Sequence, residues 1–90
     1  MTHAPTVADE LRRMIDASGK SQREIAAAVG YERPNVVSMM VKGQTKVPLQ
    51  KAPAFAKACG ADPIAFTSLV MSEYHPEAWE VLRDVFGAPH

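Results

Sequence analysis

A chain of 90 residues, 47% of them hydrophobic and with zero formal net charge, is expected to fold as one small globular domain and is too apolar to be disordered. Its single cysteine, Cys59, excludes an internal disulfide and a cysteine zinc cluster and fits a reducing, cytoplasmic setting. His3, His75 and His90 form no ligand-spaced pair, so no metal is expected; no apolar run nears the ~18–20 residues of a membrane span, and Met1–Thr6 lacks the charged and apolar regions of a signal peptide.

Helical periodicity runs through the chain and no period-two alternation competes with it, so an all-α fold of five to six helices is expected. The first helix is expected from Val7 to Ala17, with Val7, Leu11, Met14 and Ile15 on one face, Thr6 as cap with Glu10 close by, and Ser18-Gly19 as its end. The second follows Ser21, which has Glu24 three residues on, the spacing of a capping box. Ile25, Ala26 and Val29 form its inner side, and Gly30 supplies a left-handed end. The third is expected from Arg33 to about Lys42-Gly43, with Pro34 tolerated in the first turn and Val36, Met39 and Met40 on the apolar side. After the loop Gln44–Pro48, a fourth helix covers Leu49–Cys59, with Pro53 in its first turn and Cys59 as a small buried apolar residue. Asp62-Pro63 opens a fifth carrying Ile64, Phe66, Leu69 and Val70, and His75-Pro76-Glu77 opens a sixth carrying Trp79, Leu82 and Phe86, closed by Gly87.

Charge is unevenly distributed. Residues 20–57 hold seven basic side chains against two acidic ones, a net +5, whereas residues 58–90 hold one against five, a net −4. Such asymmetry points to a polyanion-facing surface on the first half, or to scatter of surface charge. Within the basic part only Gly30-Tyr31-Glu32 separates the second and third helices, and so short a link forces a steep crossing, as in a helix-turn-helix. Ile25, Val29, Val36 and Met39 are expected to pin this pair to the core. That leaves Arg33, Asn35, Val37, Ser38 and Val41 outward, a nearly uncharged face whose short polar and small apolar groups suit base edges and thymine methyls.

The run S-Q-R-E-I-A-A-A-V-G-Y-E-R-P-N-V-V-S-M-M-V-K-G-Q-T-K-V-P resembles the Cro/repressor type of helix-turn-helix, the xenobiotic-response-element family. Gln22, Glu24, Ile25-Ala26, Val29-Gly30, Val36 and the G-x-T-K-x-P loop Gly43–Pro48 carry the resemblance, and Ala56–Asp62 is similar to the family's fourth helix and its exit. The resemblance spans about Val7 to Leu69 and implies a compact lambda-repressor-like domain that binds double-stranded DNA. It implies base contacts from Arg33, Asn35, Val37 and Ser38, with Asn35 on either a base or a phosphate. It implies phosphate contacts from Gln22 and Arg23 at the start of the second helix, and from Lys42, Gln44, Thr45 and Lys46 after the third. Pro34 departs from the pattern, standing where the family often has a second polar reader.

Residues 74–87 extend beyond that core of about residues 7–70. Tyr74, Trp79, Leu82 and Phe86 are a large apolar load for a terminal helix, which either packs on its own core or makes a homodimer contact. No glycine-rich phosphate loop, Ser/His/Asp motif or paired carboxylate is present, so neither an enzyme nor a cofactor is expected. The leading expectation is a small repressor, of the size of phage or prophage regulators, that binds an inverted repeat as a homodimer. With no further domain after it, control would come from concentration and occupancy. The competing expectation is a protein-interaction module or antitoxin whose C-terminal helix docks a partner protein.

Overall fold

Six α-helices and one 3-10 turn account for the regular structure of the computed structural model, which describes residues 6–87. The histidines His3 and His90 and the Met1–Pro5 stretch lie outside those residues. In chain order the elements are α1 (Val7–Ser18), α2 (Gln22–Val29), α3 (Asn35–Val41), a 3-10 turn (Leu49–Lys51), α4 (Ala52–Cys59), α5 (Pro63–Tyr74) and α6 (Pro76–Phe86). No strand occurs among the described residues, and the fold is all-α as the periodicity predicts.

Local chemistry sets the helix limits. The Thr6 hydroxyl accepts the Asp9 N–H at 3.1 Å while the Asp9 carboxylate accepts the Thr6 N–H at 3.4 Å, a reciprocal cap of the first α1 turn. Glu10, expected beside this cap, instead pairs with Arg13. Ser21 and Glu24 close the same box on α2 at 3.1 and 2.9 Å. At the other end of α2, Gly30 takes φ 99° and directs the Tyr31 N–H onto the Ala26 carbonyl at 2.8 Å, which satisfies an orphan acceptor and turns the chain. Asp62 caps α5 by accepting the Ile64 N–H at 2.9 Å, with Pro63 as its first residue.

Helix α3 is shorter than expected. It starts at Asn35 rather than Arg33, so five residues, Gly30 to Pro34, join it to α2. The physical reason is Pro34. Its ring crowds the residue before it and disfavours helical geometry at Arg33, while Pro34 itself has φ −70° and ψ −19° and leads into the first turn.

The core is one cluster shared by α1 to α5. Leu11, Ile25, Val37, Phe55 and Val70 are all 0% exposed, and α4 packs on α1, α2 and α5. Each such apolar side chain contributes about 1.5–3 kcal/mol of transfer free energy. The last turn of α5 also reaches back to the start of the chain, where the Glu73 carboxylate accepts the Val7 N–H at 2.7 Å. Helix α6 adds no buried residue and packs chiefly against α5.

Candidate nucleic-acid interface

Seven residues form α3, and five of them are apolar: Val36, Val37, Met39, Met40 and Val41. Packing selects which three turn inward. Val37, Met40 and Val41, spaced i, i+3, i+4, are 0%, 3% and 5% exposed. Val36 is half-buried against the core and Met39 is 39% exposed. The inward face is therefore rotated by about one residue from the expected set of Val36, Met39 and Met40. Val37, expected as a base contact, and Val41, expected outward, are core residues that no groove can reach. The outward stripe is Asn35, Ser38, Met39 and Lys42, of which only Ser38 is half-buried. Met39 is the member that sequence reasoning missed, because Val36, Met39 and Met40 have the same i, i+3, i+4 spacing as Val37, Met40 and Val41.

The other expected DNA contacts lie on the surface around α3. Arg33 is exposed in the turn just before the helix, and Lys42, Gln44, Thr45 and Lys46 are exposed just after it. Gly43, at φ 74°, turns the chain there, and the Gln44 N–H donates to the Met39 carbonyl at 2.9 Å. Gln22 and Arg23 occupy the first turn of α2, the former half-buried and the latter exposed.

The basic half of the chain divides by role. Lys20 donates to the Ala58 carbonyl at 2.9 Å, tying the α1–α2 turn to α4. Lys51 donates to the Val29 carbonyl at 3.2 Å and lies 5.2 Å from the centre of the Tyr31 ring, a cation at a helix C-terminus stacked on an aromatic face. These two lysines hold the helix pair in place. Arg23, Arg33, Lys42 and Lys46 make no ion pair among the described residues, where the one salt bridge is Arg13 with Glu10. No carboxylate among the described residues neutralises any of the four.

Two further side chains fix the elements that carry those cations. Arg12 of α1 donates from Nη2 to the Val41 carbonyl at 2.8 Å, which anchors the C-terminal end of α3. Tyr74, expected as a dimer contact, is packed against its own core instead. Its hydroxyl accepts the Val47 N–H at 3.3 Å and its ring lies 5.2 Å from Lys46 Nζ. Tyr74 therefore holds the loop that follows α3. Burial raises the Tyr74 hydroxyl pKa above its ordinary value, with the Val47 hydrogen bond opposing, so the group stays protonated at neutral pH. The Tyr74→Phe substitution is expected to cost about 1 kcal/mol in urea unfolding, because one part-buried hydrogen bond is lost while the ring remains. An unchanged midpoint would show that the hydroxyl does not hold the loop.

Burial pushes the Cys59 thiol up, and Lys20 offsets only part of the shift, leaving it a poor nucleophile at neutral pH. No group of three or more His, Cys, Asp and Glu among the described residues could hold a metal ion. No helix among the described residues is long and apolar enough to cross a membrane.

Comparisons with curated proteins and with solved structures find no match. Against protein families, residues 6–68 match the model described as a helix-turn-helix domain. The match spans α1 to α4 and half of α5, including the α2–α3 pair and the loop after it. On that match and this arrangement, the chain belongs to the helix-turn-helix domain family, a DNA-binding fold.

Proposed function

We propose that the chain is a sequence-specific regulator of transcription of the Cro/repressor type, a small repressor that reads an inverted repeat in double-stranded DNA as a homodimer. The observation that carries this reading is the outward stripe of α3. Asn35, Ser38 and Met39 are uncharged and accessible there, and Arg33, Lys42 and Lys46 flank them without ion-pair partners. In the major groove, Asn35 suits the paired donor and acceptor of adenine, the Met39 thioether suits a thymine methyl, and Ser38 suits either base edge. Arg33 sits in the preceding turn, where it reaches a guanine or a phosphate. Gln22 and Arg23 on one side, and Lys42, Gln44, Thr45 and Lys46 on the other, bind phosphates that fix the register. One seven-residue helix reads few base pairs. Two of them on a two-fold axis read half-sites spaced by about one helical turn, ~34 Å.

Selection from random double-stranded DNA at low salt, with sequencing of the bound fraction, tests the proposal. An inverted repeat is expected, with affinity that falls steeply as salt rises because phosphates release counterions. Asn35→Ala is expected to reduce the preference at one position of each half-site by about tenfold, the worth of a bidentate contact. Recovery of no sequence above background would overturn the regulator reading. It would favour the second reading, a protein-docking module or antitoxin, for which the exposed apolar side of α6 speaks: Val85 is 67% and Phe86 78% exposed.

A further inference from the structure

Helix α6 is two-sided. Val81, Leu82, Val85 and Phe86 share one side with Trp79, and Glu77, Glu80, Arg83 and Asp84 take the other. The four aliphatic and aromatic residues are 60%, 38%, 67% and 78% exposed; Trp79, at the edge of their arc, is half-buried. Next to Trp79 lies a groove with a volume of about 350 Å³, lined among others by Pro53 of α4 and by Pro63, Ile64, Thr67 and Met71 of α5. No charged side chain lines it. Ile64, on its wall, is 62% exposed, and the buried Thr67 hydroxyl has no hydrogen-bond partner. An apolar cavity on the order of 150 Å³ accepts benzene, so this groove has room for a phenyl ring and an aliphatic neighbour.

We infer that the apolar side of α6 seats in the α4–α5 groove of a second copy of this chain, with Phe86 as the inserted side chain, and that the exchange is reciprocal about a two-fold axis. Area supports a second copy. The exposed portions of Ile64, Val81, Leu82, Val85 and Phe86 leave roughly 500 Å² of apolar surface per chain. A standard interface buries about 800 Å² per partner, a little over half of it apolar, so one chain already carries the amount a closed dimer needs. Arrangement supports it as well. Ridge and groove lie on the same molecule, so a two-fold axis fills both at once and leaves no open end for a filament. Helix α3 packs on α1 and α2, whereas α6 packs on α5, so this pairing leaves both outward stripes uncovered. The choice of a second copy over an unrelated protein rests in part on the two-fold DNA reading above.

Sedimentation equilibrium of the full chain without DNA tests the inference. The unaltered chain is expected to be a dimer. Phe86→Asp and Ile64→Asp, both at exposed positions, are each expected to raise the dimer dissociation constant by about 30-fold or more while thermal melting of a monomeric sample stays cooperative. In a Cys59→Ser background, mixing a Phe86→Cys chain with an Ile64→Cys chain is expected to give a disulfide-linked pair that neither chain gives alone. A monomeric unaltered chain, a dimer indifferent to both aspartates, or cross-linking of Phe86→Cys chains to each other would overturn the inference. No DNA is present in these experiments, so their failure leaves the regulator reading standing, and a dimer that selects no DNA sequence overturns only the latter.

Discussion

Val37→Asp is expected to unfold the domain, by more than about 4 kcal/mol, rather than to blunt a surface contact. Val37 is 0% exposed, and the cluster around it contains no buried polar or charged residue. The substitution forfeits the transfer free energy of a buried valine, about 1.5–3 kcal/mol. It also places a carboxyl group where nothing donates to it, at a further cost of several kcal/mol. Against a stability of about 5–15 kcal/mol for a typical domain, that loss leaves a large unfolded fraction. Burial would raise the introduced carboxyl group's folded pKa above its unfolded value, so the penalty is largest at neutral pH and eases as pH falls. Met39→Asp is the matched control. At 39% exposure it is expected to change the unfolding midpoint by less than about 0.5 kcal/mol and to weaken DNA binding through repulsion from phosphate. Urea unfolding followed by circular dichroism separates the two. A reversed order, with Met39→Asp the more destabilised, would place α3 in the other register, with Val37 outward and Met39 inward.

Phe55→Ala carries the next largest expected effect, about 3–5 kcal/mol. Phe55 is 0% exposed on α4, the helix that touches α1, α2 and α5. Its ring centre lies 6.1 Å from that of Tyr31, in the turn between α2 and α3. Truncation therefore opens a cavity beneath the helix pair and frees the ring on which Lys51 rests. Phe55→Leu keeps most of the volume and is expected to cost about 1–1.5 kcal/mol. A Phe55→Ala midpoint within experimental error of the unaltered chain would show that α4 does not support the pair from below.

Elements were more legible in the sequence than orientations. The caps at Ser21 and Asp62, the left-handed Gly30 and the first-turn Pro53 announce their helices because each satisfies a local backbone requirement that depends on few neighbours. Orientation of α3 was not legible in that way. With Val36, Val37, Met39, Met40 and Val41 all apolar, two registers offset by one residue each give an i, i+3, i+4 face, and only the tertiary fit to α1 and α2 separates them. Arg33 fell outside α3 because the restriction imposed by Pro34 acts on the residue before it, while the expected boundary weighed only the proline's own tolerance of a first turn. For the interface, the exposed polar and cationic residues were named from the outward side of the third helix and from the resemblance to the Cro/repressor type. The supports, Arg12 on the Val41 carbonyl and Tyr74 on Val47, join residues 29 and 27 apart in sequence, and no local pattern reports such pairs. For the same reason Tyr74 was grouped with Trp79, Leu82 and Phe86 on apolar character alone, although it faces inward from α5 and they lie on α6.

The last turn of α5 draws a different border from the one the family match draws. The match ends at residue 68, yet Val70 is fully buried, Glu73 ties down the first N–H of α1, and Tyr74 holds the loop after α3. These residues fasten α1 and the loop after α3 to one short segment, like a clasp joining two ends of a strap. A fragment cut at the border of sequence similarity would keep every residue expected to touch DNA and lose the clasp that sets their spacing. The segment that ties α1 and the loop after α3 together thus ends at Tyr74, and α6, beyond it, contributes no buried residue to either tie.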